Sequence, residues 1–151
     1  MRPGHPRSRH PYEHIDALLA KQAAGATHAI TQVFFYADHY LGFVQRCREA
    51  GVTIPILPGI MPITSPARLR RVLELSEENL PADLAVALDV EPTREGQHQV
   101  GVDHAAALAR AVVDGGAPGV HLYAFNDHRA VLAVLRDAGL LVHPIQKEPA
   151  R

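Results

Sequence analysis

The chain has 151 residues, of which 47% are hydrophobic and 21% charged, and its formal net charge is −1. This length fits one ordinary domain, and the charge balance lacks both the basic excess of nucleic-acid binders and the acidic excess of disordered tails. No apolar run reaches the roughly 18 residues of a membrane span, and no signal-peptide pattern is found. We therefore expect small-molecule or protein partners, no nucleic acid and no membrane. Because Cys47 is the single cysteine, no intramolecular disulfide is possible, and we expect a cytoplasmic location.

The first part of the chain predicts a loop, a helix and a strand. Residues 1–11 hold three prolines and three arginines without periodicity, which is typical of a loop. Residues 12–24 show helical spacing of apolar residues, and Gly25 stands where a helix commonly ends. Residues 29–35 are apolar on both alternating faces, which predicts a parallel strand covered on both sides.

The middle part predicts a helix, a strand and another helix. Asp38 is a candidate cap for the first helix, whose buried stripe includes Cys47, before Gly51 ends it. Residues 53–60 read as a strand whose two prolines predict irregular pairing. Thr64 or Ser65 then caps a helix that has Pro66 in its first turn and that continues through residues 68–75.

The last part predicts two or three helices and one more strand. Residues 81–90 suit either a helix or a buried strand, and Pro81 at a first turn favours the helix. A polar loop over 91–99, a helix over 100–114 and a strand over 119–125 follow. Asn126 or Asp127 caps a final helix to about Asp137, and the tail has no packing pattern.

Three strands that alternate with helices predict a parallel α/β fold. Three strands do not close a barrel, and a parallel sheet is normally buried on both faces. Its free edges therefore call for a partner chain, a further segment or a second copy.

Most candidate chemical groups have an ordinary structural explanation. His10 and His14 are four residues apart, but Pro11 lies between them and no carboxylate cluster accompanies them, so we expect no metal site. Asp89 and Glu91 fit a solvated pair. Cys47 fits an inert core thiol, and His121 a hydrogen-bonded core histidine. No residue is assigned as catalytic.

Gln32 stands apart because it is a neutral amide inside an apolar strand. An unpaired buried amide group costs about 1–3 kcal/mol, so its donor and acceptor must both find partners. Two explanations remain open on this basis. Gln32 is either a core side chain bonded to neighbouring backbone, or an amide that faces a ligand and both donates to it and accepts from it.

Five segments in the same order and with similar spacing resemble the methylenetetrahydrofolate reductase family, over about residues 3–140. They are Gly4-His5-Pro6, Lys21-Gln22-Ala23-Ala24-Gly25-Ala26, Ala29-Ile30-Thr31-Gln32-Val33-Phe34-Phe35, Ile56-Leu57-Pro58-Gly59-Ile60-Met61-Pro62 and His121-Leu122-Tyr123-Ala124-Phe125-Asn126. The resemblance implies a partial (β/α)8 barrel with about three parallel strands. It divides the chain into a loop (1–11), the carboxyl-terminal part of the barrel (12–140) and a tail (141–151).

The resemblance also implies chemistry. The family passes hydride from NADH or NADPH through FAD to 5,10-methylenetetrahydrofolate, which gives 5-methyltetrahydrofolate. Gln32 matches the glutamine that contacts the folate pterin and the nicotinamide in turn. Lys21 and His5 match FAD contacts, with Ser8 at a nearby contact position, and Arg68 stands where a substrate-contacting glutamine is common.

The departures from the family imply an incomplete site. The family's acidic proton donor and the aspartate beside the flavin belong to a segment that would precede Met1, so a fragment that needs its amino-terminal half is expected. Asp127 stands where the family usually has a folate-contacting arginine, with Arg129 nearby as a replacement cation. The alternative is a non-catalytic half-barrel that binds or assembles through its strand edges, with itself or with another half-barrel.

Overall fold

The computed structural model describes residues 11–76 and 78–141, and this part of the chain is an α/β unit of three parallel strands and six helices. The strands are β1 (Ala29–Val33), β2 (Ile56–Ile60) and β3 (His121–Leu122), in the order β1-β2-β3. The helices are α1 (Pro11–Ala23), α2 (Ala37–Glu49), α3 (Pro66–Leu75), α4 (Ala82–Val90), α5 (Arg94–Asp114) and α6 (His128–Asp137). The predicted fold class, a partial barrel of parallel strands, is confirmed.

The helix ends follow the local sequence signals in most places. Gly25 and Gly51 adopt φ values of 101° and 102° just after α1 and α2, a backbone conformation that residues with a Cβ rarely adopt. Ser65 caps α3 by accepting a hydrogen bond from the Arg68 N–H at 3.1 Å, so the choice between Thr64 and Ser65 falls on Ser65. Residues 82–90 form the helix that Pro81 favoured.

The structure corrects the predicted start of α5, the predicted length of β3 and the predicted cap of α2. Helix α5 begins at Arg94 rather than near Val100, because Thr93 caps it by accepting from the Gly96 N–H at 2.9 Å. Strand β3 covers two residues rather than seven, because the Ala124 carbonyl turns back to accept from the Asp127 N–H at 2.8 Å. Asp38 does not cap α2, whose N-cap residue is Tyr36 without a side-chain bond.

The buried core lies in two clusters. The larger one joins α2, α5 and α6 over the strands, and its fully buried members include Cys47, Ala105, Ala109, Val112 and Val134. The smaller one gathers Val33 and Phe35 with the exit of β2 and with α3 and α4. Cys47 is fully buried, and burial raises the pKa of its thiol, as expected of an inert core cysteine.

Strand β1 is not covered on both sides, contrary to the sequence-based expectation. It is an edge strand of the described sheet, Ile30 is 43% exposed, and Gln32 is exposed as well. Val33, Phe34 and Phe35 are buried. The strand therefore enters the core only at its carboxyl end, and its middle faces open space.

Candidate functional site

Gln32 lies in a β-bulge. Ile30 pairs with Leu57 and Val33 with Gly59, so β1 advances by three residues over a stretch in which β2 advances by two. The extra residue arises opposite Pro58, which has no N–H to donate to the ladder. Bulges re-aim side chains and occur often beside active sites, and here the bulge contains Thr31 and Gln32.

Thr31 repairs the ladder at the bulge. Its hydroxyl oxygen accepts from the Gly59 N–H at 2.9 Å and donates to the Gln32 carbonyl at 2.9 Å. Tyr123, from the chain just after β3, donates its hydroxyl to the Thr31 carbonyl at 3.1 Å. A Cβ at Gly59 would overlap that carbonyl oxygen and would stand 2.7 Å from the Tyr123 ring, so only glycine allows this close approach.

The sequence analysis missed Thr31, Gly59 and Tyr123 as parts of the site. The Pro58-Gly59 pair within an apolar strand was the available signal, since both residues weaken a regular strand. Among the described residues, the Gln32 side chain itself makes one hydrogen bond, in which Oε1 accepts from the Val33 N–H at 3.3 Å. Its exposure excludes the core-glutamine explanation in its buried form.

A groove of about 780 Å³ runs between α1, β1 and α2, and it brings Gln32 and Lys21 together. Lys21 lines it from α1, and Arg46 and His39 line it from α2. His39 Nδ1 lies 3.6 Å from the Glu78 carboxylate at the rim. Ile30, Leu18 and Phe43 supply apolar wall. The groove thus combines apolar surface, cationic groups, the carboxylates of Asp38 and Glu78, and the amide of Gln32.

The groove has room for a large ligand with a planar part. Its size lies within the roughly 300–1,000 Å³ of small-molecule pockets. A lysine or arginine can pair with a pyrophosphate, and a glutamine amide can both donate to and accept from a heterocycle. Lys21, Arg46 and Gln32 therefore fit a flavin dinucleotide, for which the groove offers both charge and stacking surface.

The other predicted site residues lie elsewhere. Arg68 is in the first turn of α3, after β2, and does not line the groove. His5 and Ser8 lie outside the described residues. Asp127 caps α6, because its carboxylate accepts a hydrogen bond from the Ala130 N–H at 3.1 Å. This carboxylate therefore has a structural role. Arg129 forms an ion pair with Glu95 of α5, so its guanidinium is already engaged.

The chain leaves β3 through two consecutive residues in the left-handed region. Phe125 has φ 45° and Asn126 has φ 64°, and Phe125 is 60% exposed. Residues other than glycine adopt this conformation at a cost, and such strain often lies at functional positions. His121, expected in the core, is half-buried, and its ring lies 4.7 Å from that of Tyr123.

Among residues 11–76 and 78–141, no group of three or more His, Cys, Asp or Glu side chains is arranged to hold a metal ion. Within the same ranges, no helix is both long enough and apolar enough to cross a membrane.

Comparison with known proteins decides the family. A family model described as methylenetetrahydrofolate reductase matches residues 3–139. The chain belongs to the methylenetetrahydrofolate reductase family. The match extends over α1 to α6, so the groove, the bulge and the strained exit of β3 all lie in family sequence.

Relatives within the methylenetetrahydrofolate reductase family are much longer than this chain. A probable methylenetetrahydrofolate reductase (NADPH) of Caenorhabditis elegans is 36% identical over 141 residues, which is 91% of this chain and 21% of the relative. Methylenetetrahydrofolate reductase (NADH) 1 of Zea mays is 32% identical over 82% of this chain and 21% of its own length. The Escherichia coli 5,10-methylenetetrahydrofolate reductase is 28% identical over 90% of this chain and 46% of itself. The chain thus spans between a fifth and a half of these relatives.

Proposed function

We propose that this chain forms the carboxyl-terminal part of a methylenetetrahydrofolate reductase site. The proposed activity of the complete site is the reduction of 5,10-methylenetetrahydrofolate to 5-methyltetrahydrofolate with NADH or NADPH as hydride donor, for which FAD would be the cofactor. Support comes from family membership and from one structural observation: a bulge presents Gln32 to the same groove that Lys21 lines. The proposal includes the cytoplasm as the location.

The residues of the chain have separate roles in this proposal. Lys21, with Arg46 across the groove, pairs with the anionic part of FAD. Gln32 orients the folate pterin and the nicotinamide through its amide, which can donate and accept at once. Bound FAD supplies the hydride chemistry, and the protein supplies binding and orientation. Arg68, His5 and Ser8 remain predicted contacts to folate or FAD.

We infer that the site needs an amino-terminal half-barrel. The described part supplies three strands, its edge strand β1 leaves Ile30 and Gln32 exposed, and the chain covers at most 46% of the three relatives compared above. A partner half would cover the β1 edge and complete the groove.

The test is to produce the 151-residue chain alone and together with the amino-terminal half of a family member. We expect FAD binding and NAD(P)H-dependent folate reduction from the pair, measured by flavin absorbance and by 5-methyltetrahydrofolate formation. Gln32→Ala should reduce turnover in the pair, whereas Gln45→Ala, on the exposed side of α2, should not.

Two results would count against the proposal in different ways. Flavin binding and folate reduction by the lone monomeric chain would show that no partner half is needed. A folded pair that neither binds FAD nor reduces the folate would overturn the reductase function itself.

One observation favours the second candidate, a non-catalytic half-barrel that assembles through its edges. The exposed Ile30 on an open strand edge is a common cause of strand-to-strand association. Stable self-association of the chain without flavin binding, even when the amino-terminal half is present, would support this candidate.

A further inference from the structure

Helix α5 touches the carboxyl exits of two neighbouring strands. Gly101 lies against the exit of β2, where an added Cβ would overlap the Ile63 carbonyl oxygen and stand 2.9 Å from the Thr64 nitrogen. His104, one turn further along the same face, contacts the exit of β1. Its ring centroid lies 6.4 Å from that of Phe35, with the planes tilted by 54°. One helix face therefore fixes both exits.

A second contact holds the residue that follows Phe35. The Tyr36 hydroxyl donates to Asp83 Oδ1 at 2.8 Å, which ties the β1–α2 corner to the first turn of α4. This hydrogen bond lowers the pKa of the Asp83 carboxyl, so the group is ionised at neutral pH. The Tyr36 ring also packs edge-on against His39, with centroids 5.5 Å apart.

Asp83 and His104 act on each other as well. Burial lowers the pKa of His104, while the negative charge of the Asp83 carboxylate opposes that shift. Tyr36 faces the same carboxylate from the β1–α2 corner, and its neighbour His39 pairs with Glu78. The titratable groups around the corner thus come from α2, α4, α5 and the segment before α4.

We propose that His104 and Asp83 are positioning residues for Gln32. His104 and Asp83 hold Phe35 and Tyr36, which follow Gln32 in the chain. The bond between Thr31 and Gly59 holds the residue that precedes it. The backbone of Gln32 is therefore fixed from both sides, and this orients its exposed amide. The one hydrogen bond of the Gln32 side chain within the described residues is to the backbone, from the Val33 N–H to Oε1 at 3.3 Å, so the direction of the amide follows the backbone that these contacts hold.

This inference rests on the proposed function only for what Gln32 binds, because the orientation of Gln32 can be measured without a ligand. The measurement is NMR of the 151-residue chain, with the Gln32 side-chain amide signals assigned by their loss in Gln32→Ala. His104→Leu and Asp83→Ala should each shift those signals. His104→Leu should also speed hydrogen exchange at Phe35 and Tyr36 by about tenfold, since one local contact is lost.

Two variants separate positioning from general damage. His104→Gln keeps a side chain of similar reach with an N–H donor and should return the Gln32 signals towards their original place. Asp103→Ala, an exposed neighbour on the same helix, should leave them unchanged. Unmoved Gln32 signals in folded His104→Leu and Asp83→Ala would overturn the proposal, as would an equal shift in Asp103→Ala.

A pH titration of the unaltered chain tests the same link if His104→Leu does not fold. The His104 ring should titrate below its ordinary value of 6.5, and the Gln32 side-chain signals should move with it. Ring titration that leaves Gln32 unmoved overturns the proposal. FAD is the probe for the complete site, formed by the chain and the amino-terminal half. There we expect His104→Leu to bind FAD more weakly than Asp103→Ala. If no form binds FAD, the result counts against the proposed function and not against the positioning of Gln32.

Discussion

Gln32 owes its exposure to its neighbours rather than to its own chemistry. Pro58 has no N–H to donate from β2, and β1 forms a bulge opposite it. The Thr31 hydroxyl then accepts a hydrogen bond from the Gly59 N–H, which the bulge leaves without a backbone partner. The Tyr123 hydroxyl then closes the arrangement on the Thr31 carbonyl. A single hydroxyl, that of Thr31, therefore connects the Gln32 backbone with the central strand.

Replacing that hydroxyl should destabilise the chain. In Thr31→Val the shape is kept, but the Gly59 N–H, 2.9 Å from the hydroxyl oxygen, loses its acceptor at a buried position. An unsatisfied buried donor costs about 1–3 kcal/mol, so we expect the free energy of unfolding in urea to fall by that amount. Thr31→Ser keeps the hydroxyl and serves as the control. Equal stability of the two variants would show that the Gly59 bond contributes little.

At the scale of the elements, short polar caps decide where the helices begin. At the start of α3, the Ser65 hydroxyl accepts a hydrogen bond from the backbone N–H three residues later, and Thr93 does the same at the start of α5. The Thr93 cap explains why the polar sequence of residues 94–99 is helical although it reads as a loop. The Glu91 side chain occupies the space that a Cβ on Gly96 would need.

The cap of α3 gives a direct test. Ser65→Ala removes the acceptor of the Arg68 N–H, and we expect a loss of about 1 kcal/mol in the free energy of unfolding. Thr64→Ala changes the neighbouring residue, which does not cap the helix, and should cost less. Both losses are measured by urea titration. A larger loss for Thr64→Ala than for Ser65→Ala would contradict the assignment of Ser65 as the cap.

At the scale of the whole molecule, the open edge of β1 governs behaviour in solution. Helices α2, α5 and α6 cover one side of the described sheet, and the strand order ends at β1. The chain carries a net charge of only −1, so little long-range repulsion opposes association. We expect the isolated chain to self-associate as its concentration rises.

Ile30→Lys should weaken that association. A lysine on an edge strand is a common protection against strand pairing, and Ile30 is 43% exposed there. Sedimentation velocity at increasing concentration should show a larger monomer fraction for Ile30→Lys than for the unaltered chain. Val86→Lys adds the same charge at a 60% exposed valine of α4 and is the matched control. Equal effects of the two lysines would indicate a general charge effect rather than an edge contact.

The sequence by itself determined the alternation of strands and helices, the inert core cysteine and the family. These follow from apolar periodicity, from glycine and proline at the helix ends, and from segments whose order and spacing are specific. Such signals are local, so they can be read without knowing which elements meet. The predicted end of β3 was wrong because the strand stops while its apolar pattern continues. It stops at a turn between Ala124 and Asp127, in which Phe125 and Asn126 adopt left-handed backbone conformations.

Only the tertiary structure decided how Gln32 is held. The bulge requires Pro58 and Gly59 to lie beside β1, and the Tyr123 contact joins residues that are 92 positions apart. The groove with Lys21 and the fixing of both strand exits by Gly101 and His104 likewise need packed helices. Contacts between residues distant in the chain have no local periodicity, which is why the sequence indicated the amide of Gln32 and the fold supplied its surroundings.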